Sequence, residues 1–291
     1  MAVIEFTIER DGYPTIKLDA DGGGPYGLQA KSRGFGIGPI VQRTREGAAH
    51  GVQYDGDKVA AKSTDIGLLI MGTDRLSTGT LIRNLRNMLR WRADQPFPKL
   101  VATWPNGDIQ DMPIVYESGL EQDYTNALPE LLEVTVGVFC PDPFWTARTA
   151  LQFAFDNSAS ATPFLDDLAA LPVASSLIGG AGLVTNPGDI DADLAVVIHG
   201  PSTGYTTILI NGVGFVFQAN LSNTETINAV RTPRGVTWKD QTGANRYNDL
   251  GPAPKLPQLR PGDSSISVTM VGATTDSYVR GYWKPRYEGV Y

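Results

Sequence analysis

The sequence predicts a mainly β protein built from two sandwich-like domains, the first of which carries one α-helix and one long extended arm. Segments that alternate apolar and polar residues, as strands do, recur along most of the 291 residues. Helical periodicity is convincing in a single segment. Glycine and proline, at 32 and 20 residues, together exceed the share of about 12% that is usual in soluble proteins. We place the two domains at residues 1–145 and 146–291.

The charge balance and the rare residue types exclude several classes of function. Lys and Arg total 24 against 31 Asp and Glu, so the net charge of −7 argues against a cationic nucleic-acid binder. The single cysteine, Cys140, cannot form an intramolecular disulfide, and two histidines, His50 and His199, are too few for a three-histidine metal site. The sequence does not begin like a signal peptide, and no apolar run approaches about 18 residues. We expect a soluble protein made in a cytoplasm.

The first strand is predicted at residues 3–8 (VIEFTI), where apolar and polar side chains alternate before an Asp11–Gly12 turn. Residues 22–62 differ, because they are rich in glycine, lysine and arginine and show little periodicity. A stretch of this length without a predicted core is usually a functional arm or a disordered loop. An apolar run of strand length, IGLLIMG at residues 66–72, follows the arm.

Residues 78–92 form the one predicted helix. The apolar side chains of this segment recur at helical spacing on one face: Leu81, Ile82, Leu85, Met88 and Leu89. Ser77, Thr78 or Thr80 can cap the start, and prolines follow the end. The opposite face carries three arginines, Arg83, Arg86 and Arg90. These arginines form either a solvated surface or a contact with a neighbouring subunit.

Strands resume after the helix. An Asn106–Gly107 turn, between strand-like segments at residues 100–104 and 109–119, is the strongest short hairpin signal in the chain. The β-branched run LLEVTVGVF, at residues 131–139, predicts another strand. It ends at CPDPFW, residues 140–145, where two prolines and two aromatic residues stop the strand and mark the boundary between the domains.

The second domain is predicted to be entirely β. From residue 146 to residue 185 the chain loses charge and gains Ala, Ser and Gly, which indicates a linker with one or two edge strands. From Pro187 onward, short strands follow at regular spacing and are separated by Gly, Pro, Asn and Asp. Several short strands over about 100 residues are typical of a β-sandwich or jelly roll.

Three strings match catalytic or metal-binding motifs, but the context argues against each. GGGPYG, at residues 22–27, fits a dinucleotide-binding loop, yet glycines and a proline follow where a helix would have to begin. GPSTG, at residues 200–204, fits a nucleophile elbow around Ser202, yet a strand follows and no histidine lies downstream. DIDAD, at residues 189–193, lacks the glycine and glutamate of a calcium loop, so a loose Ca²⁺ site is the lesser alternative to a solvated turn.

Two tryptophans in the second domain allow two interpretations. Trp238 and Trp283 can form a platform on which sugar rings stack, or they can belong to the core or to an interface. The first interpretation favours a carbohydrate-binding sandwich, and the second favours a structural domain.

Several segments, taken in their order and spacing, resemble one known family. In the first half these are the single amphipathic helix, the hairpin after it, and VTVGVFCPDPFW at residues 134–145. In the second half they are VTNPGDIDADLAVVIHGP, TTILING, ETINAVRTPRGV, LRPGDSSISV and YWKPRY. Over nearly its whole length the chain is similar to the distal tail proteins, also known as phage-tail-family or minor tail proteins, of long-tailed non-contractile bacteriophages (siphophages).

The resemblance implies a structural role without catalysis. Proteins of this family form a homohexameric ring at the end of the tail tube. A β-rich N-terminal domain lines the ring, an arm embraces the adjacent subunit, and a galectin-like C-terminal β-sandwich (jelly roll) projects outward. The ring joins the tube to the baseplate hub and the receptor-binding apparatus. The implied location is the tail tip of the virion, after synthesis in the cytoplasm of a bacterial host.

The resemblance also names partners. They are further copies of the chain, the tail tube protein, the tail hub or tail-associated protein, the tape measure protein, and receptor-binding or other minor tail proteins. DNA is expected to pass through the lumen without specific binding, which agrees with the negative net charge. No cofactor and no membrane insertion of the chain itself are expected.

Individual residues receive roles from the same resemblance. The arm maps onto residues 22–62. Subunit contacts are expected from basic residues of the arm and the helix: Arg33, Arg43, Arg45, His50, Arg83, Arg86 and Arg90. The domain junction and the signature of the fold are expected at Pro141, Pro143, Phe144, Trp145, Asn186, Gly188, Asp189, Pro261, Gly262 and Trp283. We predict no catalytic, cofactor-binding or metal-binding residue.

Two other functions are weighed against the structural one. A carbohydrate-binding adhesion module of the tail tip would present an exposed aromatic pair, for which Trp238 and Trp283 are the candidates. A tail-associated hydrolase would need paired carboxylates in a cleft.

Overall fold

A computed structural model of the chain describes residues 3–46, 52–121, 130–157, 177–232 and 235–290. These ranges are mainly β with one α-helix, so the predicted fold class is confirmed. The chain forms two compact units, Met1–Arg148 with Tyr287–Tyr291 and Thr149–Arg286. The sequence placed the boundary at residue 145, whereas Trp145–Ala147 is still a strand of the first unit, and the last residues of the chain return to that unit.

The elements are numbered here in chain order. They are β1 (Glu5–Glu9), β2 (Ile16–Leu18), β3 (Tyr26–Leu28), β4 (Ile40–Glu46), β5 (Val52–Val59), β6 (Lys62–Met71), α1 (Arg75–Leu89), β7 (Lys99–Thr103), β8 (Ile109–Pro113), β9 (Val115–Ser118), β10 (Leu131–Cys140), β11 (Trp145–Ala147), β12 (Leu151–Asp156), β13 (Leu177–Asn186), β14 (Leu194–His199), β15 (Thr206–Ile210), β16 (Val213–Phe217), β17 (Thr226–Thr232), β18 (Gly235–Asp240), β19 (Gly262–Val271), β20 (Tyr278–Trp283) and β21 (Arg286–Tyr287). Within the described ranges, a 3-10 turn lies at Tyr247–Asp249.

Two sheets enclose the core of the first unit. One has the strand order β2-β1-β7-β8-β11-β21 and the other the order β3-β6-β10-β9. Alternate residues of β6 and β10 point inward, so Leu68 and Val138 are fully buried while Asp65 and Glu133 are exposed. The Asn106–Gly107 turn joins β7 and β8 as predicted, and Gly107 has a φ of 90° that a side chain would disfavour.

The helix begins and ends three residues earlier than the sequence predicted. Asp74 is its N-cap, because the Asp74 carboxylate accepts a hydrogen bond from the Ser77 amide at 2.7 Å. The predicted caps Ser77 and Thr78 therefore lie inside the first turn. The apolar face is confirmed in its inner part: Ile82, Leu85, Met88 and Leu89 are buried in the core.

The predicted arm, residues 22–62, divides into two parts. β3 belongs to the core, since it pairs with β6 from Tyr26 to Leu28. By contrast, β4 and β5 pair only with each other among the strands that the structure describes, and they form a separate two-stranded sheet. The part of the predicted arm that lies apart from the core sheets is thus the β4–β5 hairpin.

The second unit is a sandwich of two antiparallel sheets. Their strand orders are β12-β20-β14-β17-β18 and β13-β19-β15-β16. Strands β14 and β15 alternate buried and half-buried residues, and the buried side chains of the unit form an apolar cluster between the sheets. The predicted linker at residues 146–185 contains β12 and β13, which are edge strands of the two sheets. Residues 158–176 of that linker lie outside the described ranges.

Candidate assembly surfaces

The β4–β5 hairpin exposes apolar side chains at its base. Ile40 and Val41 are 54% and 52% exposed, and neither belongs to the core of the first unit. A two-stranded ribbon without a core of its own is marginally stable in water. It gains stability when its apolar side chains pack against another surface, so this hairpin is a candidate contact with another molecule.

The segment that leads into the hairpin is fixed to the core sheet by hydrogen bonds. The main chains of Arg33 and Asp65 exchange two bonds, of 2.8 and 3.0 Å. The Thr64 hydroxyl donates to the Gly34 carbonyl at 3.1 Å, and the buried Lys62 ammonium donates to the Gly36 carbonyl. Burial lowers the pKa of Lys62. These bonds fix the direction in which the hairpin leaves the unit.

The predicted junction residues support the base of the hairpin from the other side. Trp145 is fully buried, and its indole Nε1 donates to the Phe35 carbonyl at 3.0 Å. Pro143 is also buried and lies against Gly38, where a Cβ would come within 3.1 Å of the proline Cβ. Phe144 is half-buried and Pro141 is exposed. The PDPFW string therefore positions the arm within the first unit.

The helix arginines lie on the exposed face of α1, opposite its buried apolar side chains. Arg83, Arg86 and Arg90 all point to solvent, although the Arg86 guanidinium also donates to the Leu120 carbonyl. Leu76, at the start of the same helix, is 82% exposed. Of the arm residues, Arg33 is exposed at the base of the hairpin. Arg43 and Arg45 lie on β4, in a part where the structure describes the backbone only, and His50 lies outside the described residues.

Arg10, like Lys62, is a buried cation that was not anticipated from the sequence. The Arg10 side chain is 6% exposed, and its Nη1 donates to the carbonyls of Asn87 and Met88 at 3.0 and 3.2 Å and to the Arg90 carbonyl. Nη2 donates to the Gln95 side chain. Arg10 thus satisfies carbonyls that the last turn of α1 leaves without helical partners. The partners are far away in sequence, so no local pattern marks this residue.

A groove of about 500 Å³ lies beside the helix. It is lined mainly by β2, β3 and α1, and its apolar side chains include Ile16, Tyr26, Leu81 and Met88. The Tyr26 hydroxyl donates to the Leu81 carbonyl at 2.9 Å, and burial raises the Tyr26 pKa to about 12. The polar side chains of its lining include Thr15, Lys17 and Asp19.

The signature residues of the second unit hold a turn. The buried Asn186 side chain donates to the carbonyls of Ile190 and Leu259 at 3.0 and 2.9 Å, and its Oδ1 accepts from the Gly188 amide at 3.1 Å. A Cβ on Gly188 would lie 2.4 Å from the Arg286 carbonyl oxygen, so only glycine fits. The Asp189 amide donates to the same carbonyl at 2.8 Å.

The second signature turn, at Pro261 and Gly262, needs a glycine for its backbone conformation. Gly262 starts β19 with a φ of 84°, in the left-handed region that side chains disfavour. Pro261 precedes it and is exposed.

The sugar-platform interpretation of the two tryptophans is wrong. Trp238 and Trp283 are 3% and 5% exposed and belong to the core of the second unit. Trp238 packs edge-on against Phe215 at 4.5 Å, and Trp283 lies 6.3 Å from the Phe153 ring. Side chains this deeply buried offer no face for a sugar ring, so the interpretation as core residues is the correct one.

Three other residues of types that occur in catalytic sites are held in contacts within the fold. Ser202 is 1% exposed, and its main chain bridges to Leu221. His199 stacks on Tyr278 at 4.7 Å and shares a hydrogen bond with Thr226. Cys140 is fully buried, which raises its thiol pKa and lowers its reactivity.

The described residues also contain no cluster of three metal-ligating side chains. Asp193, from the candidate calcium loop, accepts from Gln258 at 2.7 Å and faces Arg231 at 3.7 Å. Within the described ranges, no helix is long and apolar enough to cross a membrane.

The sequence matches no family model, and no curated protein resembles it closely enough to count as a relative. In structure the chain is similar to Dit (gp 19.1) of phage SPP1, described as a paradigm of the hub adsorption apparatus in phages that infect Gram-positive bacteria. That match has a TM-score of 0.64 at 14% identity and covers 97% of this chain and 98% of the SPP1 chain.

A chain of the phage P2 baseplate in its activated conformation is also similar. With Ca the TM-score is 0.50 at 10% identity, and with Sr it is 0.50 at 9% identity. Both matches cover 99% of this chain and 100% of the baseplate chain. For the fold, these matches confirm the resemblance that the sequence showed.

Proposed function

We propose that the chain is a structural protein of a bacteriophage tail tip. Six copies form a ring at the distal end of the tail, and the ring joins the tail tube to the hub and the receptor-binding proteins. The observation that carries the proposal is the similarity to SPP1 Dit, which extends over nearly the full length of both chains. A match over both units is more specific than a shared sandwich, because sandwiches serve many functions.

The hairpin supports the ring as the form of assembly. It leaves the first unit in a fixed direction and exposes Ile40 and Val41. A contact between such a projection and a different surface on the next copy is heterologous, and contacts of this kind close into rings when the rotation permits. The exposed arginines of α1 lie in the same unit and add polar contacts at the rim of the interface.

The charge of the chain supports passage of DNA through the lumen without binding. A protein with a net charge of −7 does not displace the counterions of the phosphate backbone, which is the main source of non-specific affinity for DNA. In the proposed tail, the neighbours along the axis are the tail tube protein, the tape measure protein and the tail hub protein.

The proposed role is non-enzymatic. Three residues that drew attention as possible catalysts or ligands have structural contacts: Ser202 in a main-chain bridge, Cys140 in the core, and Asp193 opposite Arg231. Since both tryptophans are core residues, no observation on the described residues favours carbohydrate binding as a second function.

Localisation on the virion tests the proposal. Antibodies raised against the purified chain, visualised with gold particles, are expected to label intact phages at the end of the tail that is remote from the capsid. An antibody against the major capsid protein is the matched control and should label the head alone. Labelling of the head by the first antibody, or recovery of the chain only in the lysate and not in purified virions, would contradict a tail-tip role.

A further inference from the structure

The segment that follows α1 exposes two stacked aromatic rings. Trp91 is 44% exposed and Phe97 is 39% exposed, and their ring centroids lie 5.5 Å apart at an interplanar angle of 27°. Neither side chain belongs to the core of the first unit. Single exposed apolar side chains are common on protein surfaces, whereas neighbouring ones point to a site of interaction.

Contacts with the rest of the first unit hold the backbone of this segment in place. The buried Arg10 guanidinium donates to the Arg90 carbonyl and to the Gln95 side chain. At the other end of the segment, the Pro98 carbonyl accepts from the Ile114 amide at 2.9 Å. A site that is already ordered loses little conformational freedom when a partner binds, so more of the contact energy appears as affinity.

The same part of the chain is positively charged, although the chain as a whole is negative. From residue 75 to residue 99, six Lys and Arg residues against one acidic residue, Asp94, give a net charge of +5, compared with −7 for the whole chain. Arg90 and Arg92 are exposed on either side of Trp91 in sequence, and neither has an acidic partner among the described residues. Free positive charge therefore lies next to the aromatic pair.

The helix-end patch, which comprises Arg90, Trp91, Arg92 and Phe97, fits an acidic segment of a protein. Trp and Arg are enriched at interface hot spots, and a guanidinium pairs with a carboxylate through two parallel hydrogen bonds. Charges are screened beyond about 8 Å at physiological ionic strength. A short acidic segment therefore experiences the local positive charge of the patch rather than the net charge of the chain.

Two other classes of ligand match the helix-end patch less well. A nucleic acid extends beyond the patch and meets the negative charge of the remaining chain. A sugar ring stacks on an open aromatic face, whereas Trp91 and Phe97 stack on each other and so cover one face of each ring. The arginines that flank Trp91 also favour an anion over an uncharged ligand.

We propose that the helix-end patch binds an acidic segment of a partner protein. Carboxylates of the segment pair with Arg90 and Arg92, and an apolar side chain between them packs on the Trp91–Phe97 pair. The polar contacts proposed for α1 in the ring lie at the rim of the interface, where side chains stay accessible to solvent. The two contacts are therefore compatible, and this one does not depend on the tail-tip role.

Binding of a synthetic peptide to the full-length protein tests the proposal. The probe is a short blocked peptide in which pairs of glutamates alternate with single leucines, so it contributes no tryptophan emission. Trp91 is the most exposed of the five tryptophans, and we expect the peptide to shield it from quenching by acrylamide. Added salt should weaken the binding, because exposed ion pairs are screened.

Substitutions assign the binding to the helix-end patch. In Arg90→Gln/Arg92→Gln we expect the affinity, measured by isothermal titration calorimetry, to fall about tenfold, because two exposed ion pairs are lost. Trp91→Ala should weaken binding by a similar factor of about ten. Lys255→Gln/Arg260→Gln is the matched control, since it removes two exposed cations from the second unit, and its affinity should stay within about twofold of wild type.

The thermal unfolding midpoint shows that each variant is folded, and a peptide with lysine in place of glutamate should not bind. Equal affinity of the acidic peptide for wild type and Arg90→Gln/Arg92→Gln, or no measurable binding to folded wild type, would overturn the proposal. Tighter binding of a single-stranded oligonucleotide that the same substitutions abolish would also overturn it, because the patch would then be a nucleic-acid site. Loss of the tail-tip role would leave these titrations unchanged.

Discussion

Arg10 and Asn186 are buried polar side chains whose main partners are backbone carbonyls. Arg10 ends the helix of the first unit, and Asn186 holds the turn between β13 and β14 in the second. Removing such a side chain leaves several buried carbonyls without a donor, and this costs more than the net gain from forming the bonds. Single residues of this kind therefore determine local backbone paths that apolar packing alone would leave undefined.

Replacement of Arg10 by methionine tests this at the helix. Arg10→Met keeps the apolar stem but removes the donors to Asn87, Met88 and Arg90, so we expect the free energy of unfolding to fall by about 2–4 kcal/mol. The measurement is urea denaturation followed by circular dichroism. Arg83→Met is the matched control, because Arg83 is exposed on the same helix, and its effect should stay within about 0.5 kcal/mol. Equal effects of the two substitutions would contradict the proposed role of Arg10.

The raised pKa of Tyr26 predicts that the free energy of unfolding falls at alkaline pH. Burial raises its pKa from 10.0 to about 12, so the folded state keeps the phenol protonated where the unfolded state releases the proton. The stabilising effect is complete below pH 10 and is lost as the pH rises towards 12. Between these values wild type should lose up to about 1.4 kcal/mol per pH unit relative to Tyr26→Phe.

Urea midpoints measured at several pH values for both proteins test this difference. Tyr247→Phe is the control, because it removes a hydroxyl from an exposed ring. Parallel profiles for wild type and Tyr26→Phe would show that the Tyr26 hydroxyl does not contribute to the alkaline loss.

At the level of elements, the β4–β5 hairpin forms a sheet of its own, and its exposed residues Ile40 and Val41 do not belong to the core of the first unit. Ile40 and Val41 are more than half exposed, so their replacement should hardly affect the stability of the unit but should weaken any contact that buries them. We expect Ile40→Ser/Val41→Ser to shift the protein from its assembled form towards monomer, with a thermal midpoint within a few degrees of wild type.

Size-exclusion chromatography with light scattering measures this shift. Leu131→Ser is the control, since Leu131 is similarly exposed but lies on β10, away from the hairpin. An unchanged oligomer in the hairpin variant, or an equal loss in the control, would rule out the hairpin as the assembling element.

Elements with a strong local pattern were predictable from sequence. The Asn106–Gly107 hairpin and the apolar face of α1 follow from turn chemistry and periodicity. The cap at Asp74 was missed because Ser77, Thr78 and Thr80 are equally good capping residues by type, and the choice depends on where the preceding strand ends.

The structural roles of residues whose partners are far away in sequence could not be predicted. Trp145 looked like a stop signal between domains, whereas its indole holds the Phe35 carbonyl at the base of the arm. Trp238 and Trp283 are of the residue type that stacks on sugar rings. The packing of the two sheets buries them in the core of the second unit, and this packing cannot be read from the local sequence. A sequence pattern gives the type of contact that a residue can make, but the partner comes from the topology.

At the level of the whole molecule, the two units carry different surface features. The first unit carries the hairpin and the exposed helix arginines, and the second is a sandwich of two antiparallel sheets. Among the described residues of the two units, no group of three His, Cys, Asp or Glu side chains lies close enough together to hold a metal ion. The function that we propose therefore rests on how copies of the chain assemble, which makes the oligomeric state the decisive property.

The solution mass of the purified full-length protein, measured by light scattering and followed by negative-stain imaging of the same peak, is the measurement to make. We expect six copies of the 31.3 kDa chain, about 188 kDa, or twice that mass for two stacked rings, with annular particles of six-fold symmetry. A monomer near 31.3 kDa at every concentration tested, without annular particles, would contradict a ring that is held together by contacts of the chain itself.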